Sequence, residues 1–273
     1  MKILKTSGQK EKYDKSKLRR SLIRSGLSQR QANNIVTRIT KNIPAESSTD
    51  FIFKNAQREL IKEDPVTAYR YNLKRAITEL GPTGFPFEQL ISRILNAHGY
   101  STRVDVMVNG YCVQHEVDVI AKKDNREILV ESKFHNRPGT KTDVGVLLYS
   151  HARFQDIIKA RNKNKFTRHE GWVVTNTQFT TQALKFSRCS GTKAVSWSHP
   201  TGSGLKELIE SKGIYPVTVI PQLSAADKQR LFKANIVLLS DFIKYPPNRL
   251  AKIIQININR IKYFQAIAKD LTV

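Results

Sequence analysis

His115-Glu116-Val117-Asp118-Val119-Ile120, followed after a short turn by Ile128-Leu129-Val130-Glu131-Ser132-Lys133-Phe134, is the stretch on which the fold turns. Both runs are rich in Val and Ile, as strands buried between layers are, and Asp124-Asn125 turns one into the next. Side chains alternate across a strand, so Glu131 and Lys133 share a face. Antiparallel pairing of the two runs would set Asp118 beside Glu131, giving two carboxylates and an ammonium in one pocket. Such carboxylates repel each other, and burying them costs several kcal/mol unless a cation compensates. A divalent ion with oxygen ligands, Mg2+ or Mn2+, meets that need. It also polarises a phosphodiester oxygen and acidifies a bound water, with Lys133 placed to orient that water or to offset charge on the phosphorane. The rival reading is an ordinary salt bridge on a sheet. The apolar company of Val117, Val119, Ile120, Leu129 and Val130 weighs against it.

Outward from this pair, Ser101–Val108 reads as a preceding strand, joined through Asn109-Gly110 as a tight hairpin. Before it stands a helical pattern from Phe87 to His98, closed by Gly99. After it come a long helix over Asp143–Asn162, a strand at Trp172–Asn176, a helix at Thr180–Cys189 and a strand at Lys193–Trp197. The order αβββαβαβ predicts an α/β (α+β) fold, a mixed sheet flanked by helices. Ahead of the Gly81-Pro82-Thr83-Gly84 break, apolar residues recur at helical spacing over 15–26, 28–42, 48–63 and 65–80. Ser28 and Asp64-Pro65 are starting signals there, and Met1–Thr6 with Lys10–Tyr13 reads as a hairpin around Ser7-Gly8. Beyond residue 211 the pattern is helical again, over Ser224–Ala234, Leu238–Lys244, Pro247–Ile254 and Asn257–Asp270.

The 273 residues carry a net charge of +23, and the excess is spread along the chain. Residues 1–80 hold 18 Lys and Arg against 8 Asp and Glu, residues 81–210 hold 18 against 12, and residues 211–273 hold 10 against 3. A folded basic protein of this kind attracts polyanions, DNA first. No run approaches the ~20 apolar residues of a membrane span, and the basic start lacks the core of a secretory signal, so no membrane partner and a cytoplasmic location are expected. Cys112 and Cys189 are too few for a disulfide framework or a four-thiolate zinc site. His98, His135, His151, His169 and His199 show no metal-ligand spacing. No Walker A or G-x-G-x-x-G motif occurs. Lys5 beside Ser7-Gly8, and Lys15 and Lys17 at a helix start, nevertheless place cations and free N–H groups together, where phosphates bind.

Phe85–Asn136, with GFPFEQLISRIL before a GY turn, then HEVDVIAKK and ILVESKFHN, resembles the Mrr-type branch of the PD-(D/E)xK nucleases. The likeness continues more loosely to about residue 210. It implies a restriction-endonuclease-like core and a metal-dependent DNA endonuclease, with Asp118 and Glu131 holding the metal and Lys133 as the catalytic lysine. Glu88 matches the acid that often completes the pocket. His115-Glu116 stands where many relatives have a Gly-rich turn with its own acid, so His115 either touches the scissile phosphate or assists the base, or else serves packing or strand pairing.

Residues 1–80, through ILKTSGQKEKYDKSKLRRSL and VTAYRYNLKRAI, resemble the ATP-cone. That implies a regulatory nucleotide, ATP or dATP, with Lys5 and Lys17 on its phosphates; Thr6 stands where the family has Arg. Leu223–Ile267 resembles tandem helix-hairpin-helix modules, with Gln255 and Asn257 where a glycine hairpin belongs.

The expected organisation is thus a nucleotide-sensing domain over 1–80, a nuclease core over 85–210 and a helical DNA-binding or bracing subdomain over 211–273. The alternatives are a non-catalytic, nucleotide-responsive DNA-binding regulator and a structure-specific junction resolvase. One site per chain implies a homodimer, or a higher homo-oligomer, if both strands are cut.

Overall fold

The computed structural model describes residues 2–4, 10–44, 47–81, 83–137, 139–161 and 168–272. Strands β1 (Lys2–Leu4) and β2 (Lys10–Lys12) pair antiparallel. The turn expected at Ser7-Gly8, and Lys5 with it, lie outside the described residues. Helices α1 (Lys15–Arg24), α2 (Gln29–Lys41), α3 (Thr49–Glu63) and α4 (Pro65–Thr78) follow. Each begins where a short side chain takes up a backbone N–H that the helix itself leaves unpaired. Asp14 accepts from Ser16 N at 2.8 Å, Ser48 from Phe51 N at 3.0 Å and Asp64 from Thr67 N at 3.0 Å, while Ser28 and Gln31 form a reciprocal capping box. Leu22, Ala32, Ile35, Ala56 and Leu60 fill a small core between these helices. Along α4, Ala68 joins that core whereas Tyr69, Leu73, Ala76 and Ile77 join the main one, so the two cores meet along one helix.

Helix α5 (Phe85–Ala97) carries Glu88 in its first turn. It ends in a Schellman motif: Gly99 takes a φ of +89°, its N–H bonds to Asn96 O at 2.9 Å, and Tyr100 N–H bonds to Leu95 O at 3.1 Å. Next come β3 (Ser101–Asn109), β4 (Gln114–Lys123), β5 (Arg126–Lys133), the short β6 (Lys141–Thr142), α6 (Val144–Arg161), β7 (Arg168–Thr175), the short β8 (Gln178–Phe179), α7 (Thr181–Ser190) and β9 (Lys193–Val195). The main sheet has the order β3-β4-β5-β7-β9. Its first three strands run antiparallel, and β5, β7 and β9 run parallel. The mixed, helix-flanked sheet read from the sequence is therefore the core of the molecule.

One face of the sheet, with Val119, Ala121, Val130 and Val174, packs against α5 and the carboxyl-terminal helices. The other, with Ile120, Leu129 and Val173, packs against Leu147, Phe154 and Ile157 of α6. After α8 (Leu205–Glu210) and a 3-10 turn at Val217–Val219, helices α9 (Ala225–Lys233), α10 (Leu239–Lys244), α11 (Pro247–Ile254) and α12 (Ile258–Thr272) close the chain. Thr218 Oγ1 donates to Ala76 O at 2.7 Å, and Asn72 Nδ2 donates to Val219 O at 3.1 Å. These bonds fasten the carboxyl-terminal region to α4. Gln255 itself adopts the left-handed conformation, with φ at +56°, and so makes the turn between α11 and α12 that glycine usually makes.

Two local expectations change. Asn109-Gly110 does not form a two-residue turn, because Gly110 N–H reaches Val113 O at 2.8 Å and β4 starts only at Gln114. The glycine is needed there for space: a Cβ at Gly110 would lie 2.0 Å from Asp156 Oδ2 on α6. Helix α8 was not expected at all, and its six residues are too few for a periodic signal to stand out.

Candidate active site

Asp118 sits where two ladders of backbone hydrogen bonds part. The β4–β5 ladder runs from Lys123↔Arg126 to Val119↔Val130, and the step that would set Asp118 opposite Glu131 is missing from it. The Ser132 N–H donates instead to Asp118 Oδ2 at 2.6 Å. On the other side, the β3–β4 ladder skips the step between Val104↔Val119 and Val106↔Val117. There Asp105 takes a φ of +51°, a conformation that Asp tolerates better than most side chains. The strands also change faces at this point. Val104 and Val119 pack on the α5 side, whereas Val106 and Val117 pack on the α6 side. Asp118 is thereby held at a kink, and its carboxylate caps a fork in the sheet.

Glu131 lies on the α6 side of β5, where Arg153 Nη1 bonds its Oε2 at 2.6 Å. The same guanidinium donates to Glu116 O at 3.1 Å and to the Tyr149 hydroxyl at 2.6 Å, and it stands 4.6 Å from the Tyr149 ring centroid. Lys133, at the end of β5, is exposed, and its carbonyl accepts from Thr175 Oγ1 at 2.8 Å. Glu88 comes in from α5 and hydrogen-bonds Asp105. Fork and helix thus bring Glu88, Asp105, Asp118 and Glu131 into one electrostatic neighbourhood, with exposed Glu116 also within reach.

The electrostatics follow from that crowding. Burial raises the pKa of Asp118, and the Ser132 N–H and Arg153 oppose the rise. Burial and then the charge of Asp118 raise Glu131, with Arg153 and Lys133 opposing. Burial, the charge of Asp118 and the hydrogen bond with Asp105 push Glu88 up to about 8. Arg153 and Lys133 therefore do not balance the negative charge collected here.

Among the described residues, no three His, Cys, Asp or Glu side chains are arranged to hold a metal by themselves. Mg2+ does not require such a cage, since it is commonly bound through one or two carboxylates, water and substrate phosphate. Asp118 and Glu131, both oxygen donors short of positive charge, suit that mode.

His115 is engaged elsewhere. Its Nε2 bonds Asp156 Oδ2 at 2.8 Å, and Asp156 also accepts from Cys112 N at 2.9 Å. These contacts latch the β3–β4 loop onto α6. The His115 bond is the main reason that the Asp156 carboxyl falls to about 2. Lys17 pairs with Glu11, which accepts from its ammonium. His98, His135, His151 and His169 each have a separate partner, in Leu208 O, Thr142, Thr192 and Glu127 respectively.

The sequence reading missed Arg153 and Asp105. Asp105 had a visible signal: Val104-Asp105-Val106 and Val117-Asp118-Val119 are two Val-Asp-Val triplets lying opposite each other in the β3–β4 register. Arg153 had only its i, i+4 spacing from Tyr149.

The site lies inside a match to the family model described as Restriction endonuclease, over residues 82–197; the model AF1548-like, C-terminal, matches residues 215–271. An uncharacterized protein of Archaeoglobus fulgidus is 36% identical over 163 residues, 60% of this chain and 89% of that protein. A crystal structure described as a protein of unknown function, AF1548, is 31% identical, with a TM-score of 0.56, over 70% of this chain and 98% of that one. MspJI restriction endonuclease, solved with a 27-mer oligonucleotide, is 14% identical over 72% of this chain and 39% of its own, with a TM-score of 0.35.

Proposed function

This chain belongs to the AF1548-like family, and from that premise and the forked strands we propose that it is a metal-dependent DNA endonuclease of the Mrr restriction type. The observation that carries the reading is Asp118 at the opening of both ladders, next in register to Glu131, with Lys133 two residues on. Asp118 and Glu131 would hold Mg2+ or Mn2+, which when bound supplies a Lewis acid for the phosphodiester and a more acidic water. The Ser132 N–H fixes the carboxylate of Asp118, and Arg153 fixes that of Glu131, so neither has to reorganise during reaction. Lys133, exposed at the strand end, orients the attacking water and offsets charge developing on the phosphorane. Glu88 completes the pocket from α5 as a further carboxyl, raised in the metal-free protein by burial, by the charge of Asp118 and by Asp105. His115 acts through the loop latch.

In this reading residues 85–210 do the chemistry and residues 211–273 brace the α5 face. Residues 1–80 sense a nucleotide. A cavity of about 390 Å3 lined by Tyr13, Lys17, Thr49, Phe53 and Tyr71, with Glu11 and Asp14 also in its wall, offers aromatic surfaces and, once Lys17 parts from Glu11, a cation to ATP or dATP. Calorimetric titration of the full chain tests that part, and absence of heat at millimolar ATP and dATP refutes it.

The nuclease reading is tested on supercoiled plasmid with Mg2+ or Mn2+. Nicking by the parent chain, abolished in Asp118→Asn and Lys133→Ala, is expected. Equal nicking by all three refutes it. Binding without any nicking favours the non-catalytic regulator, and a preference for four-way junctions over linear duplex favours the resolvase.

A further inference from the structure

A second cleft, of about 850 Å3, separates α1 and α4 from the loop at 197–202 and α8. Lys17, Arg20, Arg24, Arg70, Lys74 and Lys206 line it, against two carboxylates, Glu207 and Glu210. Lys206 pairs with Glu210 at 3.5 Å, and Glu207 accepts from Gly204 N at 3.1 Å. Among the described residues, Arg20, Arg24, Arg70 and Lys74 are exposed and make no ion pair, while Arg70 bonds the Tyr215 side chain and feels the charge of Glu210. Arg20 and Arg24 are one helical turn apart on α1, and Arg70 and Lys74 are one turn apart on α4. Each helix thus offers a cation about every 6 Å along its axis. Two such rows make a track for a chain of phosphates, where a single phosphate would need one focused socket.

The position of the cleft also matters. Gln178 just beyond β7 and Trp197 just beyond β9 form part of its wall. Because β5, β7 and β9 are parallel, these residues stand at the same end of the sheet to which β5 delivers Lys133. Trp197 is partly exposed there and supplies an aromatic face.

We infer that this cleft binds a single-stranded segment of DNA, its phosphates on Arg20, Arg24, Arg70 and Lys74 and a base against Trp197, and so selects substrates with an unpaired strand beside the scissile duplex. A basic groove with an aromatic platform is the usual chemistry of single-strand binding. The inference rests on the endonuclease reading for its choice of DNA.

The chain has two tryptophans, so in Trp172→Phe the remaining one, Trp197, reports from the cleft wall. The full chain carrying that change is titrated with oligothymidylate in EDTA, which withholds divalent metal, and the oligonucleotide is checked for integrity afterwards. We expect quenching of Trp197 and an affinity that falls with salt. Arg24→Glu with Lys74→Glu should weaken binding at least tenfold and flatten the salt slope by about 1–2. Lys269→Glu, on α12, should leave both unchanged. Should the double reversal fail to fold, Arg20→Gln with Arg24→Gln reads the same loss through exposed side chains. Undiminished affinity in the folded variants overturns the proposal, as does ATP binding this site more tightly than the oligonucleotide. A chain that binds here but never cuts DNA refutes the endonuclease reading alone, and one that cuts without this binding refutes the cleft alone.

Discussion

Replacing Glu88 with Gln should stabilise the metal-free protein above neutral pH and leave it unchanged near pH 4. The carboxyl of Glu88 is pushed from the ordinary 4.5 up to about 8 by burial, by the charge of Asp118 and by its bond with Asp105. Below pH 4.5 the group is protonated both folded and unfolded and contributes nothing. Between 4.5 and 8 the unfolded chain releases the proton and the folded chain keeps it, so stability falls as pH rises; above 8 the loss is complete. Each pH unit in that window corresponds to about 1.4 kcal/mol, a ceiling near 5 kcal/mol for the whole shift. Glu88 is only half-buried, and solvent screening brings the expectation to about 2 kcal/mol. The assay is urea unfolding of both proteins at several pH values from 4 to 9 in EDTA. The parent curve should drop away from that of Glu88→Gln as pH rises through the window. Parallel curves would refute the claim that carboxylate crowding dominates this site.

Three further expectations follow from the same geometry. Saturating Mg2+ should raise the melting temperature of the parent and not that of Asp118→Asn, since only a site that binds the ion is stabilised by it; scanning calorimetry with and without the ion decides this. Asp156→Asn should lower the melting temperature at neutral pH by loosening the β3–β4 loop from α6. Because the parent carboxyl is depressed, its contribution is fully present above about pH 4 and is lost as pH falls toward 2, so the two melting temperatures should converge in acid. Gly171→Ala should cost about 1–3 kcal/mol, because a Cβ there would stand 2.3 Å from Cδ2 of the buried Phe154; equilibrium unfolding measures it.

The part of this molecule most legible in its sequence was the sheet. Val- and Ile-rich runs broken by Asp124-Asn125 left little choice about β4 and β5, and their antiparallel register runs toward Asp118 and Glu131 but stops one step short of that pair. Helix starts were legible for a local reason: Ser28 and Asp64-Pro65 act on N–H groups within three residues of themselves. What depended on distant partners was not legible. Asn109-Gly110 carries a turn signal, yet its glycine answers to Asp156, 46 residues away on α6. His115 likewise belongs to Asp156, and Glu131 to Arg153, through packing of α6 on the sheet that no local pattern encodes. The positive φ of Asp105 escaped for the same reason, since it is imposed by the fork and not by a Gly or Asn at that position.

Strand scission on an end-labelled DNA duplex, compared between the parent and Glu131→Gln with Mg2+ and with EDTA, bears most directly on whether the fork hydrolyses phosphodiesters. Cleavage by the parent that needs Mg2+ and drops by about 100-fold or more in an equally folded Glu131→Gln is the expected result. Cleavage that persists in EDTA, or that survives the loss of the Glu131 carboxylate, would contradict it.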